Sequence, residues 1–284
     1  MRDAPELCCV ECSAVMDTGL HCARCGIIYE RAPSSAPILM TPDDRRKFNV
    51  LLNRDEGRQM QATYERRRKH DWTRRFYPPE PVYVNPQAPA LPAARPGKIC
   101  VWIGGAGLDL PGFVNLDVAP VVGVDIVANA SRLPFLDSSC DLIACLALLE
   151  HVSDPEQVVR EIRRVLKPAG EAQVAVPFCH PYHAYPADYS RFSRESLQRL
   201  FSDFRDVDIG IRTGPTTTML TFLTYYLKLI LPVHCPNRLR RTANRLIVGA
   251  AGWLMFPLKY LDAWLNHAPD AHVLANHLYV SARK

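Results

Sequence analysis

The most constraining feature of this chain is an apolar run that ends in glycine. Ile99-Cys100-Val101-Trp102-Ile103 carries no charge and stops at Gly104-Gly105-Ala106-Gly107. A run of this length without polar alternation reads as a strand covered on both faces, as in parallel sheets. Phe113-Val114-Asn115-Leu116-Asp117 is a second run, ending in an acid, and residues 141–146 form a third. Residues 155–166 place Val158, Val159, Ile162, Val165 and Leu166 on one helical face, and Lys167-Pro168-Ala169-Gly170 is expected to end that helix. A strand over 171–177, a helix from Ser193, a strand over 204–211 and a last one from His277 complete the pattern. Strands alternating with helices predict an α/β fold with a mostly parallel sheet.

In such sheets ligands bind outside the carboxyl ends of the strands. A glycine-rich turn there lets backbone come close to a ligand, and its amides can bind a carboxylate or phosphate. An acid ending the next strand is placed to hold ribose hydroxyls. Gly104, Gly105, Ala106, Gly107 and Asp117 fit these two roles.

Further motifs follow in order: Asn129-Ala130-Ser131-Arg132-Leu133-Pro134-Phe135, Asp141-Leu142-Ile143, Leu149-Glu150-His151-Val152, and Arg164-Val165-Leu166-Lys167-Pro168-Ala169-Gly170. Over about residues 98–200 the chain resembles the class I S-adenosylmethionine-dependent methyltransferases, more narrowly the family that includes the ubiquinone and menaquinone biosynthesis enzymes. The resemblance implies a Rossmann-like sheet of seven strands, mostly parallel with the last antiparallel. It implies that Gly104–Gly107 cradle the methionine part of S-adenosylmethionine, that Asp117 holds its ribose, that Asn129 and Ala130 meet adenine, and that Cys145 and Leu146 line the other side. The chain departs from the pattern in two places. Val101, Trp102 and Ile103 stand where the first strand usually carries an acid, and only nine residues separate Ile103 from Phe113. Parallel strands usually need a crossover of about a dozen residues, so the first helix is expected to shrink to a turn.

The segment Phe178-Cys179-His180-Pro181-Tyr182-His183-Ala184-Tyr185-Pro186-Ala187-Asp188-Tyr189-Ser190-Arg191-Phe192 follows an expected strand end and is crowded with functional side chains. Methyl transfer is governed by positioning, and a base is needed only when the acceptor must lose a proton. His180 or His183 is the candidate base or acceptor contact. Asp188 and Arg191 either shape that site or pair to hold the loop, the second reading being favoured. Glu150 and His151 recur, in the resemblance, beside unrelated acceptors, which points to a framework role.

Five of the ten cysteines lie in the first 25 residues. Cys9-x2-Cys12 and Cys22-x2-Cys25 give two thiolate pairs of the kind that complete a tetrahedral Zn²⁺ site; Cys8 is spare, although Cys8 and Cys12 could form the first pair. The surrounding residues resemble the small zinc ribbon of tRNA-methyltransferase activator proteins. Acids at Asp3 and Glu6, with no apolar h-region after them, argue against a secretory signal and for a cytoplasmic setting.

The formal charge of +5 is unevenly spread: −2 over residues 1–40, +5 over 41–77, −5 over 78–208, +7 over 209–261 and zero thereafter. The expected organisation is a zinc ribbon over 1–40, a basic helix and Pro-rich linker over 41–97, and an α/β domain over 98–284 with an apolar, basic insert at 213–276. Arg66-Arg67-Arg68-Lys69-His70, followed by Trp72, Arg74, Arg75, Phe76 and Tyr77, could touch RNA or anionic lipid, or be a solvated face. In the insert, apolar runs flanked only by cations suit a membrane interface, a lid or a dimer contact. The expected function is methyl transfer to a small or lipid-linked acceptor. The alternatives are RNA methylation through the ribbon and Arg cluster, or a non-catalytic cofactor-binding partner subunit, suggested by the altered first-strand motif.

Overall fold

The computed structural model describes residues 5–49, 78, 80–90, 93–94, 96–106, 110–184, 187–232 and 235–284. The Arg-rich cluster at 66–77 and Gly107 lie outside the described residues.

The core is a sheet in the order β1-β4-β3-β2-β5-β6-β8-β7, formed by Ile38–Leu39 (β1), Cys100–Ile103 (β2), Val114–Asp117 (β3), Ile126–Ala128 (β4), Cys140–Leu146 (β5), Leu166–Pro177 (β6), Arg205–Thr213 (β7) and His277–Arg283 (β8). Only β8 runs antiparallel to its neighbours, β6 and β7. Strands β2 to β8 match in number the seven that the resemblance implies; six coincide with runs read from the residues, and β4 is the one those runs did not include. All four residues of β2 are buried, because the sheet is covered on both faces. Between β2 and β3 the described residues contain turns and no helix, as the short spacing requires.

The eighth strand is a difference from that expectation. Ile38 and Leu39 pair in parallel with Val127 and Ala128, covering what would be the open edge of β4. The Cys-rich segment is continuous with the sheet's packing: Val10, Met16, Leu20 and Tyr29 share one core with Val101, Leu116 and Phe135. Leu7 bridges Phe135, and the Arg132 guanidinium donates to the Val10 carbonyl at 2.8 Å.

Helix α1 (Pro42–Lys47) follows β1, closed at its start by a reciprocal bond pair between Thr41 and Asp44. Helix α2 (Pro155–Val165) begins at Asp154, whose carboxylate accepts from the Gln157 amide, and buries Val158, Val159, Ile162 and Val165. It ends at Val165, earlier than the Lys-Pro-Ala-Gly run suggested. Leu166 already pairs with Cys140, and residues 167–170 are absorbed into a register shift before Glu171 meets Leu142. Helix α3 (Arg194–Leu200) is capped by Ser193.

The insert is a pair of helices, α4 (Pro215–Ile230) and α5 (Arg238–Met255), the second continuing helically to Leu265. Their attachment is polar. The buried Asp262 carboxylate accepts from the Thr216 amide at 2.7 Å and from the Thr217 amide and hydroxyl at 2.9 and 2.8 Å, offsetting the positive end of α4. Beyond that root most of the pair faces outward. Leu229, Leu239, Leu246, Leu254 and Trp264 are exposed, and Asn244 is the one buried residue of α5.

Candidate active site at the carboxyl edge of the sheet

The first half of the site is built by the ends of β2, β3 and β4. Gly104 adopts φ +73°, a conformation glycine takes without steric cost, and its amide donates to the Leu116 carbonyl at 2.8 Å. The next turn residue, Ala106, is also left-handed, at φ +47°. Its amide donates to Asp117 Oδ2 at 2.9 Å, while Asp117 Oδ1 accepts from the Ala119 amide at 2.9 Å. Burial pushes the Asp117 carboxyl up, and these amides pull it back only in part. Each oxygen keeps a lone pair for a ribose hydroxyl.

Asn115 braces this turn from within the sheet. It is 2% exposed, and its amide donates at 2.8 Å to the carbonyls of both Ala106 and Gly123. Gly105 has no room for a side chain: a Cβ there would lie 2.4 Å from Asn115 Oδ1. The sequence offered Asn115 only as part of an Asn-x-Asp match, although a buried amide in an apolar strand was itself a signal.

After β4, Asn129 Oδ1 accepts from the Ser131 amide, and its Nδ2 donates to Asp44 of α1 at 2.6 Å. The residue expected to meet adenine is therefore engaged by the N-terminal helix, and an adenine contact there requires that bond to be exchanged. Ala130 is buried behind it. Cys145 pairs with Ile103 in register and is wholly buried; Leu146 is partly exposed. Leu148 packs against Gly104, closing the two strand ends together.

The second half lies beyond β5, β6 and β8. The 3-10 turn Leu149–His151 leaves β5 and buries Glu150 completely. Arg191 grips Asp188 through both carboxylate oxygens and also donates to the carbonyls of His180 and Pro181, so this ion pair staples the loop. It holds Asp188 well below the usual carboxylate range. His180 and His183 stack edge to face with centroids 4.5 Å apart, and His180 meets His277 at 5.3 Å. Burial lowers both the His180 and His277 imidazoles, the latter to about 3, whereas Glu150 beside it raises His183. His277 sits 97 residues from His180 in sequence, and only strand pairing brings them together.

Of the N-terminal cysteines, Cys9, Cys12, Cys22 and Cys25 converge, with all four sulfurs within 4.8 Å of one another. Cys8 is buried elsewhere, its amide bonded to Pro134. The neighbouring Cys12 and Cys22 push the exposed Cys25 thiol up to about 12. Four sulfurs at this spacing are the donor set of a tetrahedral site, so the residues present fit Zn²⁺.

The β4-β3-β2-β5-β6-β8-β7 order with one antiparallel strand, the glycine turn and the strand-end acid give a Rossmann-like α/β sheet of the kind found in class I methyltransferases. The family profile described as a methyltransferase domain matches residues 111–174. Among curated proteins, the ubiquinone/menaquinone biosynthesis C-methyltransferase UbiE of Stenotrophomonas maltophilia is 47% identical over 55 residues, 19% of this chain and 22% of that protein. An uncharacterized 37.1 kDa protein in a Streptomyces fradiae transposon is 34% identical over 109 residues, 30% of this chain and 31% of that one. The chain thus spans less than a third of either relative. Among solved structures, Haemonchus contortus phosphoethanolamine N-methyltransferase 2 in complex with S-adenosyl-L-methionine is 14% identical, covering 68% of this chain and 50% of that one, with a TM-score of 0.40.

Proposed function

We propose that this chain transfers the methyl group of S-adenosylmethionine to a small or lipid-linked acceptor. The observation that carries the reading is Asp117, which ends β3, braces the glycine turn and keeps acceptor capacity at the sheet's carboxyl edge. The turn Gly104, Gly105, Ala106 and Gly107 would hold the methionine end, Asp117 the ribose, and Cys145 and Leu146 the opposite wall. Asn129 and Ala130 would meet adenine. When bound, S-adenosylmethionine supplies a sulfonium methyl for in-line displacement. The protein's task is to orient the acceptor and exclude water. His180 and His183 stand on the acceptor side, where either imidazole can take a proton from an acceptor that must lose one.

Two features support a membrane-associated acceptor. Helix α4, the first of the pair, begins just after Thr213, whose hydroxyl lies 3.3 Å from His277 Nδ1 at the same edge. The stretch Arg238–Leu265 is long and apolar enough, by length and composition, to cross a membrane, and only 6% of its most apolar window is buried. With cations and no acid between residues 209 and 261, it suits a peripheral position on an anionic cytoplasmic leaflet. The Cys9, Cys12, Cys22, Cys25 group is read as a structural zinc site, and metal analysis should find about one zinc per chain.

The test is methyl transfer from methyl-tritiated S-adenosylmethionine, with bacterial lipid extract or total RNA as acceptor. Label in the organic phase, with the protein floating on anionic vesicles, supports the reading. Label in RNA, with steeply salt-dependent RNA binding, would replace it with the nucleic-acid alternative. Failure to bind the cofactor would favour the partner subunit.

A further inference from the structure

We infer that Glu150, His151 and His183 form a binding site for one divalent transition-metal cation. Glu150 is 0% exposed, yet among the described residues neither of its carboxylate oxygens has a hydrogen-bond partner. A buried carboxylate left without partners costs several kcal/mol in typical cases, so such groups are paired or bind metals. Its Oε1 faces two imidazole nitrogens, His183 Nε2 at 3.7 Å and His151 Nε2 at 3.8 Å. Both distances exceed a hydrogen bond.

The other nitrogen of each ring explains what faces the carboxylate. His151 Nδ1 contacts the Ala187 carbonyl, and His183 Nδ1 lies 3.1 Å from the Pro181 carbonyl. A carbonyl can only accept, so the His151 contact places the ring hydrogen on Nδ1; His183 Nδ1 also lies 3.5 Å from an Arg191 nitrogen, but its shorter contact to the Pro181 carbonyl favours the hydrogen on Nδ1 there as well. In the neutral tautomer that leaves both Nε2 lone pairs turned toward a carboxylate oxygen. All three ligand atoms lie within 4.8 Å of one another. Ring N–H groups held by carbonyls are the usual outer support of metal-binding histidines. A tetrahedral ion at ~2.1 Å from N and O brings them to about 3.4 Å apart, a closure of a few tenths of an ångström.

The donor set, two imidazoles and a carboxylate, suits borderline divalent ions and leaves at least one position open for water or an acceptor oxygen. The cation rests on this geometry alone. Its place beside an acceptor oxygen rests on the methyltransferase reading.

The experiment uses the full chain with its cysteine-bound zinc retained, titrated with Mn²⁺ while free Mn²⁺ is followed by electron paramagnetic resonance. Mn²⁺ is chosen because a thiolate cluster is a poor competitor for it. One bound Mn²⁺ per chain is expected, and both Glu150→Gln and His183→Ala should weaken it by at least about tenfold. The loop variant His183→Ala guards against misfolding at the buried position, and both variants should melt no lower than the parent without Mn²⁺. No binding up to millimolar Mn²⁺, or equal affinity in parent and both variants, would overturn the site and identify the trio as a proton-bridged pair with a neighbour. S-adenosylmethionine binding measured on the same samples separates the two readings: cofactor bound without Mn²⁺ removes only the cation site, and Mn²⁺ bound without cofactor removes only the methyltransferase assignment.

Discussion

Strand β5 ends in two carboxylates of opposite character, one at each edge of the sheet. Asp141, at its start, accepts from Lys98 at 3.1 Å, from Lys167 at 2.7 Å and from the Ile99 amide at 3.0 Å. Burial alone would raise its carboxyl, but these donors outweigh it and hold it down to about 2. Glu150, just past the other end, is more deeply buried and has no hydrogen-bond donor among the described residues. The contrast repeats across the carboxyl edge. On the β2–β3 side, the Asn115 amide nitrogen has two carbonyl acceptors and each Asp117 oxygen accepts from a backbone amide, so the turn and its acid are tied into one bonded network. On the β5–β8 side, the Glu150 carboxylate faces two imidazole nitrogens at 3.7 and 3.8 Å, beyond hydrogen-bond reach. A satisfied network belongs to the scaffold, whereas an unsatisfied buried one points to something that binds there.

Asn115→Ala should strike hardest at this distinction. It deletes two part-buried bonds and orphans the Ala106 and Gly123 carbonyls, with an expected loss of about 3 kcal/mol in chemical denaturation. A loss under about 1 kcal/mol would mean that the turn holds itself. Gly105→Ala forces a Cβ against an amide already fixed by two bonds. About 2 kcal/mol of destabilisation and weaker cofactor binding should follow.

The Asp141 pairing sets a pH window. Its folded value lies below the ordinary 3.8, so its contribution is complete above that value and disappears as pH falls through about 2. With both lysines substantially exposed, roughly 1 kcal/mol should be lost on acidification, and Asp141→Asn should flatten that part of the profile. Glu150→Gln should act in the opposite sense. Replacing an unpartnered carboxylate by a neutral amide should leave the metal-free protein equally stable or up to about 1 kcal/mol more stable by thermal melting. A clear destabilisation would show that Glu150 belongs to the scaffold after all.

Much of this was legible in the residues. Uninterrupted apolar runs gave the parallel strands, the short gap after Ile103 announced a turn in place of a helix, and paired Cys-x2-Cys spacing picked out the four converging thiols. Three things were not. Ile38-Leu39 looked like the tail of a small module, because two residues carry no periodicity from which an added edge strand could be read. The Asn129–Asp44 bond joins positions 85 residues apart, and no local pattern announces it. The meaning of Glu150 was hidden because a Leu-Glu-His motif does not reveal whether its carboxylate finds a donor; that depends on the loop carrying His183 and on the turn of its own ring.

The central claim is that the glycine turn and Asp117 hold S-adenosylmethionine. Calorimetric titration of the full chain with the cofactor tests it most directly, comparing the parent with Asp117→Ala. Saturable one-to-one binding, weakened roughly ten- to a hundredfold by loss of a charged hydrogen-bond acceptor, is the predicted result. Binding of equal strength in the two proteins, or no binding in the parent, would contradict it.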